Sequence, residues 1–352
     1  MTPGFWSGRR VLVTGSTGFK GAWLSLWLQQ LGARVTGLAL VPEHPEGAFR
    51  SMAPWDGLAQ HIVDVRNAEG VATVIGAEQP EVVFHLAAQA LVARGYADPA
   101  GTYAVNVGGT VNVLEAARRS GGVTAVVVVT TDKVYRNRGT GRAFIEDDPL
   151  GGDDPYADSK ACAEMAVAGW RRCFGEASGT AVATARAGNV VGGGDRAADR
   201  LVPDAVRALA AGQPVALRHP DARRPWQFVL EPLQGYLLLA ERLMIQGASE
   251  RWQSVNFGPP ESLMVPVADL ISVLCDRWGG GRWISGAAEI GPEMDSLRLD
   301  SSLAHDVLGW RPCLDLEEGL RWTVEWHRAQ LAGEDMRSLS VQQIARYAGL
   351  LR

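Results

Sequence analysis

The chain has 352 residues, of which 47% are hydrophobic and 21% charged, with a formal net charge of −5 at pH 7. This length suffices for one large domain or two, and the acidic balance gives no support to nucleic-acid or anionic-membrane binding. No apolar run approaches the ~18 residues of a membrane span, and the first residues lack the apolar stretch of a signal peptide. The four cysteines show no metal-ligand spacing and are too few for a disulfide framework, so we expect no metal and a cytoplasmic location.

The first predicted element is a valine-rich strand at 9–14, followed by a glycine-rich turn. The sequence GSTGFKG places Gly15, Gly18 and Gly21 directly before an amphipathic helix that stops at Gly32. In such a unit, backbone N–H groups and the helix N-terminus hold a pyrophosphate, and glycine is needed where a β-carbon would block the phosphates. The pattern predicts a dinucleotide site, with a simple tight turn as the alternative.

Apolar strands and amphipathic helices then alternate. Further strands are predicted at 33–39, 60–64, 81–86, 124–130 and 180–186, and helices at 67–77, 100–118 and 156–174. The run TAVVVVT is continuously apolar, as expected of a strand that is covered on both faces in a parallel sheet. The alternation predicts an α/β fold with a doubly wound parallel (Rossmann-type) sheet.

After about residue 185 the pattern loosens into a helix near 201–211, a short strand at 215–217 and a helix from 231. We expect a first domain of 1–185, joined by about 231–250, and a smaller C-terminal substrate-binding lobe with a tail over 186–352. The tail after Gly333 is predicted to be a short helix on the surface or at a subunit contact.

The strings TTDKVY and PYADSK, between residues 130 and 160, carry most of the candidate chemistry. Tyr156 and Lys160 stand four residues apart, so in a helix both side chains lie on one face. A phenol titrates near ~10 and is a poor base at neutral pH, whereas a neighbouring ammonium favours the phenolate. The pair predicts a base for a substrate hydroxyl, with chance spacing as the alternative.

Together these motifs resemble the extended short-chain dehydrogenase/reductases that act on nucleotide sugars, in particular the CDP-glucose 4,6-dehydratases. The general marks are GSTGFKG, Asp64, HLAAQ at 85–89, Asn106, the Tyr156–Lys160 pair and RAGNVVGGGD. The narrower marks are FKGAWLSLWL, TTDKVY, RPWQFVLEPLQGY and LGWRP. The lysine of Thr-Asp-Lys is specific, because dTDP- and GDP-sugar dehydratases usually have glutamate there.

The resemblance implies an NAD-mediated conversion of CDP-glucose to CDP-4-dehydro-6-deoxyglucose and water. Thr131 and Tyr156 would hold the 4-hydroxyl, Tyr156 would take its proton as hydride leaves position 4, and Lys160 would bind the nicotinamide ribose. Asp132 would protonate the departing 6-hydroxyl, and Lys133 would take the proton from position 5. The hydride would then return to position 6, and Tyr156 would reprotonate the system. A lysine acts as a base only if part of it is neutral, so its pKa must be lowered.

The resemblance also implies two sets of binding residues. Those expected to contact NAD are Gly15, Thr17, Gly18, Phe19, Lys20, Gly21, Asp64 (at the adenine amine), Val65, Leu86, Ala87, Ala88, Asn106, Tyr156 and Lys160. Those expected to contact the substrate are Gln89, Asn189, Arg200, Leu201 and Arg224, the last at the pyrophosphate in preference to Arg223. The ribose-binding carboxylate usual for NAD is absent, since Leu40 and Val41 follow the second strand, and Lys20 could instead be a ligand for the 2′-phosphate of NADP.

Two departures from the family leave the nucleotide base and the sugar open. Phe228 stands where histidine is usual, and RNRGTGRAF replaces a tryptophan-containing insert. Two other functions also stay open. A nucleotide-sugar 4-epimerase or reductase would have no use for an acid–base pair at 132–133, and a non-catalytic dinucleotide sensor would not need a poised phenol. We expect a homodimer or homotetramer.

Overall fold

A computed structural model describes residues 1–139, 141–247, 249–286 and 297–351. The strands in these ranges are β1 (Arg10–Thr14), β2 (Arg34–Ala39), β3 (Ala59–Ile62), β4 (Val82–His85), β5 (Ala125–Val129), β6 (Ala181–Ala187), β7 (Asn189–Val191), β8 (Val215–Leu217), β9 (Arg223–Phe228), β10 (Ser254–Phe257), β11 (Met264–Pro266) and β12 (Trp283–Ser285). The first-domain strands lie within two residues of their predicted bounds.

The helices in the described ranges are α1 (Phe19–Gln30), α2 (Ala48–Ser51), α3 (Ala68–Glu78), α4 (Val92–Ala97), α5 (Pro99–Tyr103), α6 (Gly109–Ser120), α7 (Pro155–Trp170), α8 (Glu176–Ser178), α9 (Leu201–Ala210), α10 (Leu230–Gln246), α11 (Val267–Trp278), α12 (Ser302–Leu308), α13 (Leu316–Leu331) and α14 (Met336–Leu350). Single π-helical turns at Ala104–Gly108 and Arg171–Gly175 extend the helical segments before α6 and after α7. None of the described helices is long and apolar enough to cross a membrane.

Seven parallel strands form the central sheet in the order β10-β6-β5-β4-β1-β2-β3. Alternate residues of one strand enter different cores: Val11 and Val13 pack on the side of α1 and α10, and Leu12 packs on the side of α3 and α6. The predicted doubly wound parallel sheet is therefore confirmed. The strand order reverses between β1 and β4, which is where ligands bind in such sheets.

The second half of the chain returns to this sheet. Helix α10 packs against β5 and β6, and β10 adds the strand at the edge beside β6. A smaller lobe carries the sheets β11-β9-β7 and β12-β8 around its own apolar core. The tail forms a helix, as predicted, but a longer one than expected: α14 has fifteen residues and is docked on the protein by its fully buried Tyr347, which donates a hydrogen bond to Glu231 at 2.6 Å.

Helix α7 is attached to the end of β5 by two of its polar side chains. The Lys160 ammonium donates to the Val129 carbonyl at 2.9 Å. One turn later, the buried carboxylate of Glu164 accepts from the Thr130 hydroxyl at 2.5 Å and from the Thr184 hydroxyl at 2.7 Å. Consecutive residues at the end of β5 are thus held by residues one turn apart on α7, and the segment TDK follows directly.

The carboxylate of Glu164 is paired with a buried arginine from β6. Arg186 donates to both carboxylate oxygens at 3.0 Å, and a further N–H donates to the Tyr135 hydroxyl at 2.7 Å. That hydroxyl donates in turn to Asn256 of β10. Arg186 holds the pKa of Glu164 below its usual value despite burial. The network therefore connects both ends of TTDKVY to three strands and α7.

This ion pair generates a stability prediction. Arg186→Met should lower the free energy of unfolding by roughly 3–5 kcal/mol, because it leaves the Glu164 carboxylate buried without a counter-charge. The double variant Glu164→Gln with Arg186→Met should be more stable than the single one, since no charge then remains buried. Urea unfolding of the three proteins measures this order.

The matched control is Arg119→Met, because Arg119 pairs with Glu115 in α6 while 72% of its side chain is exposed. Its loss should cost below about 1 kcal/mol. Equal costs for Arg119→Met and Arg186→Met would show that the buried pair does not have this role.

Candidate active site

The glycine turn between β1 and α1 leaves room for a phosphate. Gly15 has φ +71°, and a β-carbon there would lie 2.8 Å from the backbone nitrogen of Ala87. A β-carbon on Gly21 would lie 2.1 Å from the Gly15 carbonyl oxygen, so α1 packs on the turn at backbone distance. Gly18 is the N-cap of α1, and no described side chain caps that helix end. The turn therefore fits a dinucleotide pyrophosphate, which would take the N–H groups of Phe19 and Lys20, since the Gly18 N–H donates to the Gly15 carbonyl at 3.0 Å.

The loop after β4 lies against this turn at the point where the strand order reverses. The backbone N–H of Ala87 donates to the Thr14 hydroxyl at 3.1 Å. Asn106 is fully buried, and its side chain binds both backbone polar groups of Gln89 and the Ser159 hydroxyl of α7. These bonds give Asn106 a positioning role between the loop and the Tyr156 helix.

Gln89 was expected to contact the substrate, but its side-chain amide is bound locally. It donates to the Leu91 carbonyl at 3.0 Å and to the Thr102 hydroxyl at 2.9 Å, and it accepts from the Leu91 N–H at 2.6 Å. Leu86 and Ala88 flank Ala87 in the same half-buried loop. In this structure Gln89 therefore shapes the loop, and its contact with the substrate stays a prediction.

The adenine end of the expected site lies at the ends of β2 and β3. Asp64 binds Arg66 through a carboxylate–guanidinium pair at 2.6 Å, which holds the pKa of Asp64 below its usual value. Val65 is buried against Gly109. Leu40 and Val41 are exposed, and the Thr17 hydroxyl donates to the Leu40 carbonyl.

Tyr156 and Lys160 lie in the first two turns of α7, which begins at an Asp154 cap and Pro155. The Tyr156 phenol lies near Thr131, which belongs to the turn after β5 and is close enough to lower the pKa of the phenol. Burial raises the pKa of Tyr156, against the lowering effect of Thr131 and of the charge on Arg200. Lys160 lies in the same buried region, and burial lowers its pKa to about 8.

Sequence reasoning expected Lys160 to favour the phenolate. In the structure the Lys160 ammonium is directed to the Val129 carbonyl, and the groups that favour the Tyr156 phenolate are Thr131 and Arg200. The physical reason is the position of β5, whose terminal carbonyl competes for the ammonium. The charged form of the phenol therefore depends on Thr131 and Arg200 and not on Lys160.

Asp132 and Lys133 lie in a single 3₁₀ turn directly after Thr131. Asp132 is buried and accepts a hydrogen bond from the Thr131 hydroxyl at 2.9 Å. Burial raises the pKa of Asp132, although the charges of Lys133 and Arg224 oppose the shift. Gly188 makes room for this carboxyl, because a β-carbon there would lie 2.7 Å from it. The site thus holds a carboxylic acid suited to giving up a proton, with a half-buried lysine beside it.

Four of the expected substrate residues lie on β7, on β9 and at the start of α9. Arg224 of β9 is half-buried and near enough to Asp132 to lower its pKa. Its neighbour Arg223 is exposed and donates to the Met264 carbonyl at 3.0 Å. Arg200, at the start of α9, pairs with Asp195 at 3.3 Å. Next along the chain, Leu201 is the first residue of α9, and Asn189 begins β7.

Phe228 lies in an aromatic core and is 2% exposed. Its ring contacts Trp23 and Trp322 edge-on at centroid distances of 6.3 and 5.4 Å. The phenylalanine that departs from the family pattern therefore packs between α1 and α13. In the replaced loop, Arg142 pairs with Asp148, and Thr140 lies outside the described residues.

Sequence reasoning missed several polar residues behind the site. His85 bridges the Thr14 and Thr110 hydroxyls, and burial lowers its pKa to about 3, so it stays neutral. Glu164 stands four residues after Lys160, and Arg186 is the charged residue of strand β6. Charges in such positions are signals of buried pairing. Among the described residues, no group of three or more His, Cys, Asp or Glu side chains could hold a metal ion.

Comparison with known proteins agrees with this geometry. The family described as "NAD dependent epimerase/dehydratase family" matches residues 11–252. The chain is 43% identical over 351 residues to the CDP-glucose 4,6-dehydratase of Salmonella typhimurium, with 97% of each chain covered. It is 28% identical to a dTDP-glucose 4,6-dehydratase of Xanthomonas campestris pv. campestris, with 90% of this chain and 92% of the relative covered.

Among solved structures, the UDP-glucose 4-epimerase of Thermus thermophilus in complex with NAD matches with a TM-score of 0.79. It is 27% identical, and the match covers 91% of this chain and 99% of the epimerase. The family model spans well over half of the chain, and the Salmonella relative aligns over almost all of it. The chain therefore belongs to the NAD dependent epimerase/dehydratase family.

Proposed function

We propose that this protein is a nucleotide-sugar 4,6-dehydratase that converts CDP-glucose to CDP-4-dehydro-6-deoxyglucose and water with NAD. The observation that carries the proposal is the buried Asp132 carboxyl beside the Thr131–Tyr156 pair. Oxidation at position 4 requires only the phenol and its partners, whereas loss of water across positions 5 and 6 requires an additional acid and base. The identity to the Salmonella CDP-glucose 4,6-dehydratase supports the same substrate.

In the oxidation step, Thr131 and Tyr156 hold the 4-hydroxyl and Tyr156 takes its proton. Bound NAD supplies the acceptor for the hydride of position 4 and later the donor to position 6, and its oxidised ring carries a positive charge. Burial raises the pKa of the Tyr156 phenol, and a positive charge beside the phenol would act in the same direction as Arg200, which lowers it. The backbone N–H groups at the glycine turn and Lys160 would hold this cofactor.

In the elimination step, the 4-keto group makes the hydrogen at position 5 acidic. Lys133 takes that proton, and Asp132 gives a proton to the 6-hydroxyl, which leaves as water. Burial of Asp132 keeps the proton available, because the ionised form is disfavoured inside the protein.

In the return step, Lys133, whose amine protons exchange with water, gives a proton to position 5, and Tyr156 still holds the proton of the 4-hydroxyl. The Thr131 hydroxyl donates to Asp132 and lies close enough to Tyr156 to lower the pKa of the phenol, so it stands between the phenol and the acid. The proton on Tyr156 can therefore replace the one that Asp132 gave to water. Every proton is then accounted for.

A 4-epimerase is the second candidate, since the Thermus structure is one and shares the fold. Asp132 and Lys133 argue against it, because epimerisation needs no acid–base pair at positions 5 and 6. Assembly as a homodimer or homotetramer and a cytoplasmic location remain part of the proposal.

The proposed activity predicts a product lighter than CDP-glucose by one water, formed without net consumption of NADH. Mass spectrometry of reactions with CDP-, dTDP-, GDP- and UDP-hexoses measures both substrate and reaction. An unchanged mass with inverted stereochemistry at position 4 would instead favour the epimerase. If another nucleotide sugar is dehydrated and CDP-glucose is not, the dehydratase reaction stands but cytosine is rejected as the nucleotide base of the substrate.

Substitutions that affect the oxidation step and the elimination step should stop the reaction at different stages. Tyr156→Phe should leave bound cofactor oxidised after substrate is added, because no group then takes the 4-hydroxyl proton. Asp132→Asn and Lys133→Met should slow elimination by roughly 10²–10⁴ and allow reduced cofactor to accumulate, since oxidation does not need them. Nicotinamide absorbance after mixing separates the two cases.

Lys133→Arg is the matched control, because it retains the positive charge but has no accessible neutral form. It should be as slow as Lys133→Met if the residue is a base. Full activity of either variant would show that Lys133 is a charged loop residue and not the base.

The pyrophosphate assignment predicts unequal effects of two neighbouring substitutions. Arg224→Lys should weaken substrate binding and leave dinucleotide binding unchanged, because lysine lacks the guanidinium fork. Arg223→Lys serves as the control, since its side chain is exposed and turned to Met264. Calorimetric titration with CDP-glucose compares them, and an equal loss in both variants would reject the choice of Arg224.

A further inference from the structure

The side chain of Lys133, the base proposed above, is placed by its backbone. Its ammonium has no hydrogen-bond or ion-pair partner among the residues that the structure describes. The Lys133 backbone N–H donates to the Thr131 hydroxyl at 3.4 Å, and the next two residues, Val134 and Tyr135, are buried. The position that the amine can reach therefore depends on what holds the backbone on either side of Lys133.

The two sides of Lys133 are held by different elements. The residues before it follow the end of β5, which is attached to α7 by the hydrogen bonds described above. After it, the Val134 carbonyl accepts from the Gly151 N–H at 2.8 Å. The Arg136 N–H then donates to the Pro149 carbonyl at 2.9 Å. The acid and the base in this segment thus have separate supports.

Between these two backbone bonds, the side chain of Tyr135 is fixed at both its hydroxyl and its ring. The hydroxyl accepts from Arg186 at 2.7 Å and donates to the amide oxygen of Asn256 at 2.7 Å. The ring stacks on Phe144 at a centroid distance of 4.8 Å and an interplanar angle of 5°. Asn256, which is fully buried in β10, donates in turn to the Phe144 carbonyl at 3.0 Å. Tyr135 is therefore anchored to the edge of the main sheet, two residues after Lys133.

We propose that the Tyr135 hydroxyl, held by Asn256, positions Lys133 for proton transfer at position 5. The inference rests on the dehydratase function proposed above. A lysine side chain has a flexible stem, so its amine meets one carbon of the substrate only if the backbone below it stays in place. Thr131 and Asp132 are held from the side of α7, so loss of the Tyr135 hydroxyl should displace the base and leave the phenol and the acid in place. A displacement of about 1 Å can slow a reaction on the order of 10²-fold.

A single turnover of the whole protein with CDP-glucose tests this, because nicotinamide absorbance rises with oxidation and falls after elimination. Tyr135→Phe retains the stacked ring and removes the hydroxyl. Oxidation should keep its rate constant, and elimination should slow on the order of 10²-fold, so that reduced cofactor accumulates. A smaller folded fraction would lower the amplitude of the signal and not the rate constants. Asn256→Ala should show the same pattern, and it provides the test if Tyr135→Phe does not fold.

Tyr347→Phe is the matched control. It also removes the hydroxyl of a buried tyrosine, which donates to Glu231 at 2.6 Å, but it lies in the tail helix α14. It should leave both rate constants unchanged. The comparison separates the position of Lys133 from a general loss of stability.

A double variant tests whether Tyr135 acts through Lys133. In the Lys133→Met background, Tyr135→Phe should slow elimination no further, because no base is left to position. Additive slowing there would overturn the inference, as would unchanged elimination or equal slowing of both steps in Tyr135→Phe alone. Failure of the unsubstituted protein to dehydrate any nucleotide sugar, or full activity of Lys133→Met, would instead overturn the proposed function, so the two failures are distinguishable.

Discussion

The geometry of the site depends on how helix α7 is held against the end of strand β5. Lys160 and Glu164, one turn apart, bind the consecutive residues Val129 and Thr130, and the reacting segment follows at once. A carboxylate can serve this purpose in a buried position only because Arg186 neutralises it and satisfies both of its oxygens. The ion pair of Glu164 and Arg186 therefore stabilises the sheet and helps to fix the position of Asp132 relative to Tyr156.

Burial pushes each principal titratable group of the site toward its neutral form. The pKa values of Asp132 and Tyr156 are raised, and those of Lys20 and Lys160 are lowered. A neutral acid is ready to protonate a leaving hydroxyl, whereas a neutral phenol is not yet a base. Binding of the positively charged nicotinamide ring would favour the phenolate form of Tyr156, so Tyr156 would become a base only when the cofactor is bound. The carboxyl of Asp132 favours its neutral, acid form without the cofactor.

The sheet was predictable because its signals are local: apolar strands, a glycine turn and regular alternation. The motifs also located the turn after β5 and the Tyr156 helix. Sequence did not reveal which partner each polar group takes, since that depends on distant segments. Lys160 turns to a β5 carbonyl, Gln89 is held by its own loop, and Phe228 is enclosed by tryptophans from two helices. The position of Glu164, one turn after Lys160, could have indicated a role in the site. Its partner Arg186 is distant in the sequence, on strand β6, so the pairing could not be predicted.

The central claim is that one hydride leaves position 4 and returns to position 6 of the same sugar. Reaction of CDP-glucose carrying deuterium at position 4, followed by NMR of the product, tests it most directly. The account predicts that the deuterium appears at position 6, next to a 4-keto group, with a solvent proton admitted only at position 5. Deuterium retained at position 4 with inverted stereochemistry, or lost from the sugar, would contradict it.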